Sequence, residues 1–143
     1  MEIRIISATE VIPLRKEVLR PNQPIEMCVY PDDDLESTFH LGAVKDGRIV
    51  AIGTFSNRPH EVYPELTYQL RGMASSPAVR GEGYGKALLE EARNRLKAKD
   101  ADGWWCNARL NAVPFYERLG LTVASESFEI EGIGPHHVMV DRF

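Results

Sequence analysis

Arg80-Gly81-Glu82-Gly83-Tyr84-Gly85-Lys86 separates two stretches of different periodicity. Before it, Leu66 to Ala74 alternates, with Leu66, Tyr68, Leu70 and Gly72 on one face and Thr67, Gln69, Arg71 and Met73 on the other, as in a strand. Gly72 weakens that ladder and predicts a bulge or a close ligand approach. After the glycines, Tyr84, Ala87, Leu88, Ala92 and Leu96 form one apolar stripe while Glu90, Arg93, Asn94 and Lys97 face away, as in a helix. Glycines between a strand and a helix let successive backbone N–H groups converge with no side chain in the way. The helix adds its unpaired first amides and the positive end of its dipole, and Arg80 and Lys86 add mobile cations. A diphosphate suits this cradle. Lys86 is followed by Ala87, so the magnesium-binding hydroxyl of an ATPase loop is missing. The alternating glycines also differ from a dinucleotide fingerprint, although Asp102 lies at about the right distance for a ribose contact and keeps that reading open. A glycine turn that merely packs is the third alternative.

Outward from this centre, Ile3, Ile5 and Ile6 open the chain as a strand, and Val11, Leu14, Val18 and Leu19 recur at helical spacing up to Arg20-Pro21, with Pro13 in the first turn. Pro21 to Asp34, with Pro24 and Pro31, lacks periodicity and reads as a long loop. Thr38 to Val44 and Ile49 to Phe55 form an antiparallel pair across Asp46-Gly47, a strong hairpin signal. Beyond the central helix, Gly103 to Ala108 suits a buried strand, and Val113 to Leu119 a short helix stopped by Gly120. Leu121 to Ile130 and His137 to Val140 supply two more strands.

The chain has 143 residues, 43% of them apolar, enough for one domain with its own core. No apolar run approaches the roughly 20 residues that cross a bilayer, and Met1-Glu2-Ile3-Arg4 lacks a signal-peptide pattern, so a cytoplasmic protein without a membrane partner is expected. Net charge −4 and a pI near 5.6 argue against nucleic acid. Cys28 and Cys106 have no metal-ligand spacing, so neither a metal site nor a disulfide framework is expected.

The sequence resembles the GNAT superfamily of N-acetyltransferases and, more weakly in its front half, a bacterial subgroup of undefined substrate. The signature Arg/Gln-x-x-Gly-x-Gly/Ala is matched by Arg80, Gly83 and Gly85. Leu70-Arg71-Gly72-Met73-Ala74 looks like the family's fourth strand. Asn111-Ala112-Val113-Pro114-Phe115-Tyr116-Glu117-Arg118-Leu119-Gly120-Leu121 is similar to its helix-and-turn segment beside the cofactor. Pro13-Leu14-Arg15 and Val18-Leu19-Arg20-Pro21 carry a weaker likeness, and the Pro21 to Asp34 loop stands where the family usually has a second helix. The resemblance implies an α/β (α+β) fold over a single domain, residues 1–143. Its central sheet would be mixed and mostly antiparallel, of about six to seven strands, with helices on both faces and coenzyme A entering between the fourth and fifth strands.

The implied cosubstrate is acetyl-CoA, with no metal. The implied reaction is transfer of its acetyl group to a primary amine on a small molecule or peptide by direct attack in a ternary complex. A homodimer is compatible with this, and a noncatalytic acetyl-CoA sensor or binding module is the alternative. Cofactor contacts fall on Met73, Ala74, Ser75, Arg80, Gly81, Glu82, Gly83, Tyr84, Gly85, Lys86, Asn111 and Phe115. A backbone N–H at Met73, Ala74 or Ser75 would meet the carbonyl oxygen, or these residues only complete a ladder. Tyr116 matches the family's acid, whose phenol would protonate the departing thiolate, or it is a half-buried aromatic. Asn111 holds the pantetheine arm or caps the helix it precedes. For the general base, Glu65 lies near the start of the fourth strand, and His136 and His137 follow a glycine-rich turn and are of the residue type whose ordinary pKa is nearest neutrality. His40 and Cys28 are lesser candidates, Cys106 reads as core, and Asp32-Asp33-Asp34 reads as a solvated turn.

Overall fold

The computed structural model describes residues 1–143 and divides into two compact units, Met1–Ser56 with Leu70–Arg95, and Asn57–Gln69 with Leu96–Phe143. No helix is long and apolar enough to cross a membrane.

In the first unit, β1 (Glu2–Ile6) pairs antiparallel with β2 (Phe39–Lys45), placing Ile3 opposite Ala43 and Ile5 opposite Leu41. β2 returns as β3 (Arg48–Asn57) through Asp46 and Gly47, whose φ values of 52° and 77° give the doubly left-handed turn that Asp-Gly favours. β4 (Tyr68–Ser75) follows in the ladder order β1-β2-β3-β4. Pro13 sits in the first turn of α1 (Ile12–Leu14), where its missing N–H costs nothing. The helix does not continue as expected, however. Residues Arg15–Leu19 widen into a π-helical turn closed by Arg20 N–H donating to the Arg15 carbonyl at 3.0 Å. Ile6, Val11, Leu14, Ile52 and Ala74 form a core against which Ile12, Val18, Leu19 and Ile49 pack. Each large aliphatic side chain so buried contributes about 1.5–3 kcal/mol. The helix after the glycines, α2 (Tyr84–Ala98), buries Leu88, Ala92 and Leu96 as its stripe predicts, and Leu89 besides.

In the second unit, Tyr68 and Gln69 of β4 lie parallel to Trp104 and Trp105 of β5 (Gly103–Arg109). β5 pairs antiparallel with β8 (Gly134–Arg142) along its whole length, from Gly103 opposite Arg142 to Arg109 opposite His136. The strand expected over Leu121 to Ile130 is instead two, β6 (Thr122–Val123) and β7 (Phe128–Ile130), both on β8. Ser125 accounts for the break: its Oγ accepts from Val138 N–H at 2.8 Å, so a side chain takes the place of a ladder partner. The count rises to eight strands, and of the paired registers only β4 with β5 is parallel. Leu66, Trp105 and Val140 form one core cluster of this unit. α3 (Val113–Arg118) ends at Gly120, φ 98°, where Leu121 N–H returns to the Tyr116 carbonyl.

Candidate active site

The glycine segment starts from a fixed point. Ser76 N–H donates to the Val50 carbonyl at 2.7 Å, and Ser76 Oγ accepts from Ala78 N–H, capping a short 3-10 turn over Pro77–Val79. Glu82 N–H then returns to the Val79 carbonyl at 3.1 Å. Gly81 and Gly83 adopt φ of 82° and 85°, a region that side chains disfavour. A Cβ at Gly81 would meet nothing within 4 Å, and one at Gly83 only Met1 Cε at 3.8 Å. The open backbone leads into α2, whose first turn carries no acidic residue and whose first amides have no partner within the helix. Arg80 and Lys86 are exposed beside it. The segment therefore fits an anion such as a diphosphate, with one difference from expectation. Glu82 spends its amide on the turn, and its carboxylate accepts from Lys45 Nζ at 2.8 Å, a cation that the motif gave no reason to include.

Upstream, Ala74 is buried and Met73 and Ser75 are half-buried on β4. Gly72, φ 60°, is closely approached not by the expected ligand but by the protein's own Arg15 and Tyr30: a Cβ there would lie 3.1 Å from Arg15 Nε and 3.2 Å from Tyr30 Cε2. Arg15 is fully buried. Its Nη1 and Nη2 donate to the two oxygens of Asp33 at 2.7 and 2.9 Å, Nη1 also donates to the Cys28 carbonyl, and Nη2 to Thr54 Oγ1. Nε alone has no hydrogen-bond partner. Tyr30 caps the carboxylate with its N–H and lies with its ring centroid 3.7 Å from the guanidinium carbon. The solvated turn expected at Asp32-Asp33-Asp34 is thus wrong for Asp33, which is the buried counterion of the unit. Burial alone would push its carboxyl up. The Arg15 and Tyr30 hydrogen bonds, with the Arg15 and His40 charges, hold it below the ordinary carboxylate range. His40 Nε2 lies 3.0 Å from the Asp33 carbonyl, which can only accept, so that nitrogen carries a hydrogen; Nδ1 meets Thr54 Oγ1 at 2.8 Å.

In the second unit, Asn111 is exposed within a 3-10 turn, Leu110–Ala112, and does not cap α3; Ala112 holds that position without a side-chain bond. Phe115 meets Tyr116 edge-on, ring centroids 5.2 Å apart. Tyr116 is buried, and burial, then Cys106, pushes its phenol well above the usual value while Arg109 pulls the other way. The proton is therefore retained throughout the neutral range. Cys106 is core as expected, its thiol pushed up by burial to about 12. His136 Nδ1 lies 2.8 Å from the Gly134 carbonyl and His137 Nδ1 3.0 Å from the Ser125 carbonyl. Each Nδ1 must donate, which leaves Nε2 as the one basic position of each neutral ring. Glu65 is exposed and accepts from Arg142 at 3.2 Å; its own amide, with help from Arg142, holds its carboxyl below the ordinary range against the opposing effect of desolvation.

A mixed sheet and an open glycine loop before a helix define an α/β protein equipped for a phosphate-bearing ligand. Residues 9–121 match the Acetyltransferase (GNAT) family. The chain is 37% identical over 140 residues to the uncharacterized N-acetyltransferase YitI of Bacillus subtilis (strain 168), covering 97% of this chain and 94% of that one. It belongs to the GNAT acetyltransferase family and is an acetyl-CoA-dependent acyltransferase. The fold is shared with Escherichia coli ElaA, at TM-score 0.78 and 20% identity over 98% of this chain and 99% of that one. It is shared also with an aminoglycoside 6'-N-acetyltransferase complexed with coenzyme A, at TM-score 0.75 and 11% identity over 99% and 97%.

Proposed function

We propose that residues 1–143 act as a single domain that moves an acetyl group from acetyl-CoA directly to a primary amine of a small molecule or peptide, in the cytoplasm, with no nucleic-acid or membrane partner. The observation that carries this reading is the pair of left-handed glycines, Gly81 and Gly83, opening without side-chain cover into the first turn of α2. Arg80 to Lys86 hold the diphosphate through amides other than that of Glu82, through the helix dipole and through mobile cations. Met73, Ala74 and Ser75 offer backbone N–H groups to the carbonyl oxygen, where charge develops. Asn111 and Phe115 line the pantetheine arm. Acetyl-CoA, when bound, supplies an activated thioester. Tyr116, which keeps its proton because it is buried, donates to the departing sulfur. Removal of the amine proton falls to His136 or His137 through Nε2, or to Glu65, whose carboxyl its own amide and then Arg142 hold below the ordinary carboxylate range.

An amine panel with acetyl-CoA, read by thiol release, tests the reaction, and calorimetry tests the ligand. Acetyl-CoA at 100 times its dissociation constant should stabilise the fold by about 2.7 kcal/mol. Binding without turnover on any amine would favour a noncatalytic sensor. No heat and no stabilisation at millimolar acetyl-CoA would end the reading altogether.

A further inference from the structure

Glu82 poses a problem of sign. It sits in the middle of a loop whose glycines, helix terminus and flanking cations all favour an anionic guest, yet its side chain carries the guest's own charge. Its amide is committed to the Val79 carbonyl, so the side chain is what remains for it to contribute. That carboxylate is held by Lys45, which ends β2 just before the Asp46-Gly47 turn and is brought to the loop from 37 positions away. Lys45 Nζ lies 2.8 Å from Glu82 Oε1 and 6.0 Å from the centroid of the Tyr84 ring at the start of α2. The two side chains are 40% and 43% exposed. Pairs this exposed shift an equilibrium by at most about fivefold, so the contact is easily exchanged. A lysine offers three donors on a flexible stem and can turn from a carboxylate to a phosphate with little movement of the backbone.

We propose that Lys45 is a further phosphate-binding residue of the coenzyme A site, and that Glu82 is an internal substitute for the phosphate, holding Lys45 until the ligand displaces it. The inference rests on the acetyl-CoA reading above. Glu82 then lowers affinity by competing for Lys45 and by repelling the phosphate, while keeping a lysine positioned that would otherwise be free to move.

The test is calorimetric titration of wild type, Lys45→Ala, Glu82→Gln and the double variant with coenzyme A and with 3′-dephospho-coenzyme A. Both positions are exposed enough to tolerate the changes, and thermal unfolding checks that each variant is folded. Lys45→Ala should raise the coenzyme A dissociation constant about tenfold, the loss of one charge-assisted hydrogen bond. Glu82→Gln should lower it about twofold to fivefold, and that gain should shrink in the Lys45→Ala background, where competition is gone. A loss confined to coenzyme A assigns Lys45 to the 3′-phosphate, and an equal loss on both ligands assigns it to the diphosphate; either supports the proposal. Lys45→Ala within twofold of wild type on both ligands, or weaker binding by Glu82→Gln, overturns it while leaving the acetyl-CoA reading intact. If wild type binds neither ligand, both fall together.

Discussion

Replacing Asp33 by Asn removes one charge and leaves the side chain's shape. The structure makes this a severe change, because the Arg15 and Asp33 side chains are 0% and 3% exposed and water cannot take the carboxylate's place. One oxygen of the amide can still accept from Arg15, but its NH2 group faces the donor that the second oxygen satisfied at 2.9 Å. Breaking a buried pair by removing one partner costs about 3–5 kcal/mol, since the other charge stays buried alone. At about 2.1 cal/mol/K per residue, a chain of 143 residues unfolds with an entropy near 300 cal/mol/K, so Tm should fall by about 10–17 °C. Urea midpoints at pH 7, 5, 4 and 3 add the sign. The folded Asp33 carboxyl lies below its unfolded value near 3.9, so the stability it contributes is present above about pH 4 and is lost as pH falls through the folded value. The gap between wild type and variant should thus be full at pH 7 and close in acid. A double change, Arg15→Met with Asp33→Leu, should recover part of the loss because no charge remains buried alone. A difference under about 1 kcal/mol at pH 7, or a gap that does not narrow toward pH 3, would refute the counterion role.

Gly83→Val should weaken coenzyme A binding at least tenfold while moving stability far less, because it crowds the cradle and strains a φ of 85° at an exposed loop; calorimetry beside thermal unfolding separates the two. Tyr116→Phe should leave the coenzyme A dissociation constant within about twofold and slow single-turnover transfer about 100-fold, the low end of general acid catalysis, since burial weakens this phenol as an acid. A phenylalanine variant as fast as wild type in the chemical step would reduce Tyr116 to a packing residue.

The sequence made local structure legible where the backbone itself imposes the choice. Asp46-Gly47 and Gly120 gave a hairpin and a helix stop because left-handed φ values are chemically costly for most other residues. The α2 stripe was visible because one helical face meets a core. What escaped was whatever depends on partners distant in sequence. Three consecutive aspartates look alike in sequence, and only the fold selects Asp33 by bringing to it Arg15, 18 positions away, whose guanidinium also donates to Thr54. Lys45 was invisible for the same reason, since no local pattern joins the end of β2 to a glycine loop 37 residues on. The break at Ser125 arose from a hydroxyl accepting from Val138 N–H, 13 positions on, which alternation alone does not reveal.

His40, described above as a neighbour of Asp33, also gives the protein a native spectroscopic reporter. Its Nε2 hydrogen is buried on a carbonyl and its Nδ1 shares the Thr54 hydroxyl, which itself accepts from Arg15. Protons shut away from water in this manner exchange slowly and resonate apart from the amide envelope, so one imidazole N–H signal would register whether the loop from Pro21 to Asp34 is seated. Ligand titrations followed at that line would distinguish events that reach this loop from events that stop at the glycines, with no label introduced into the chain.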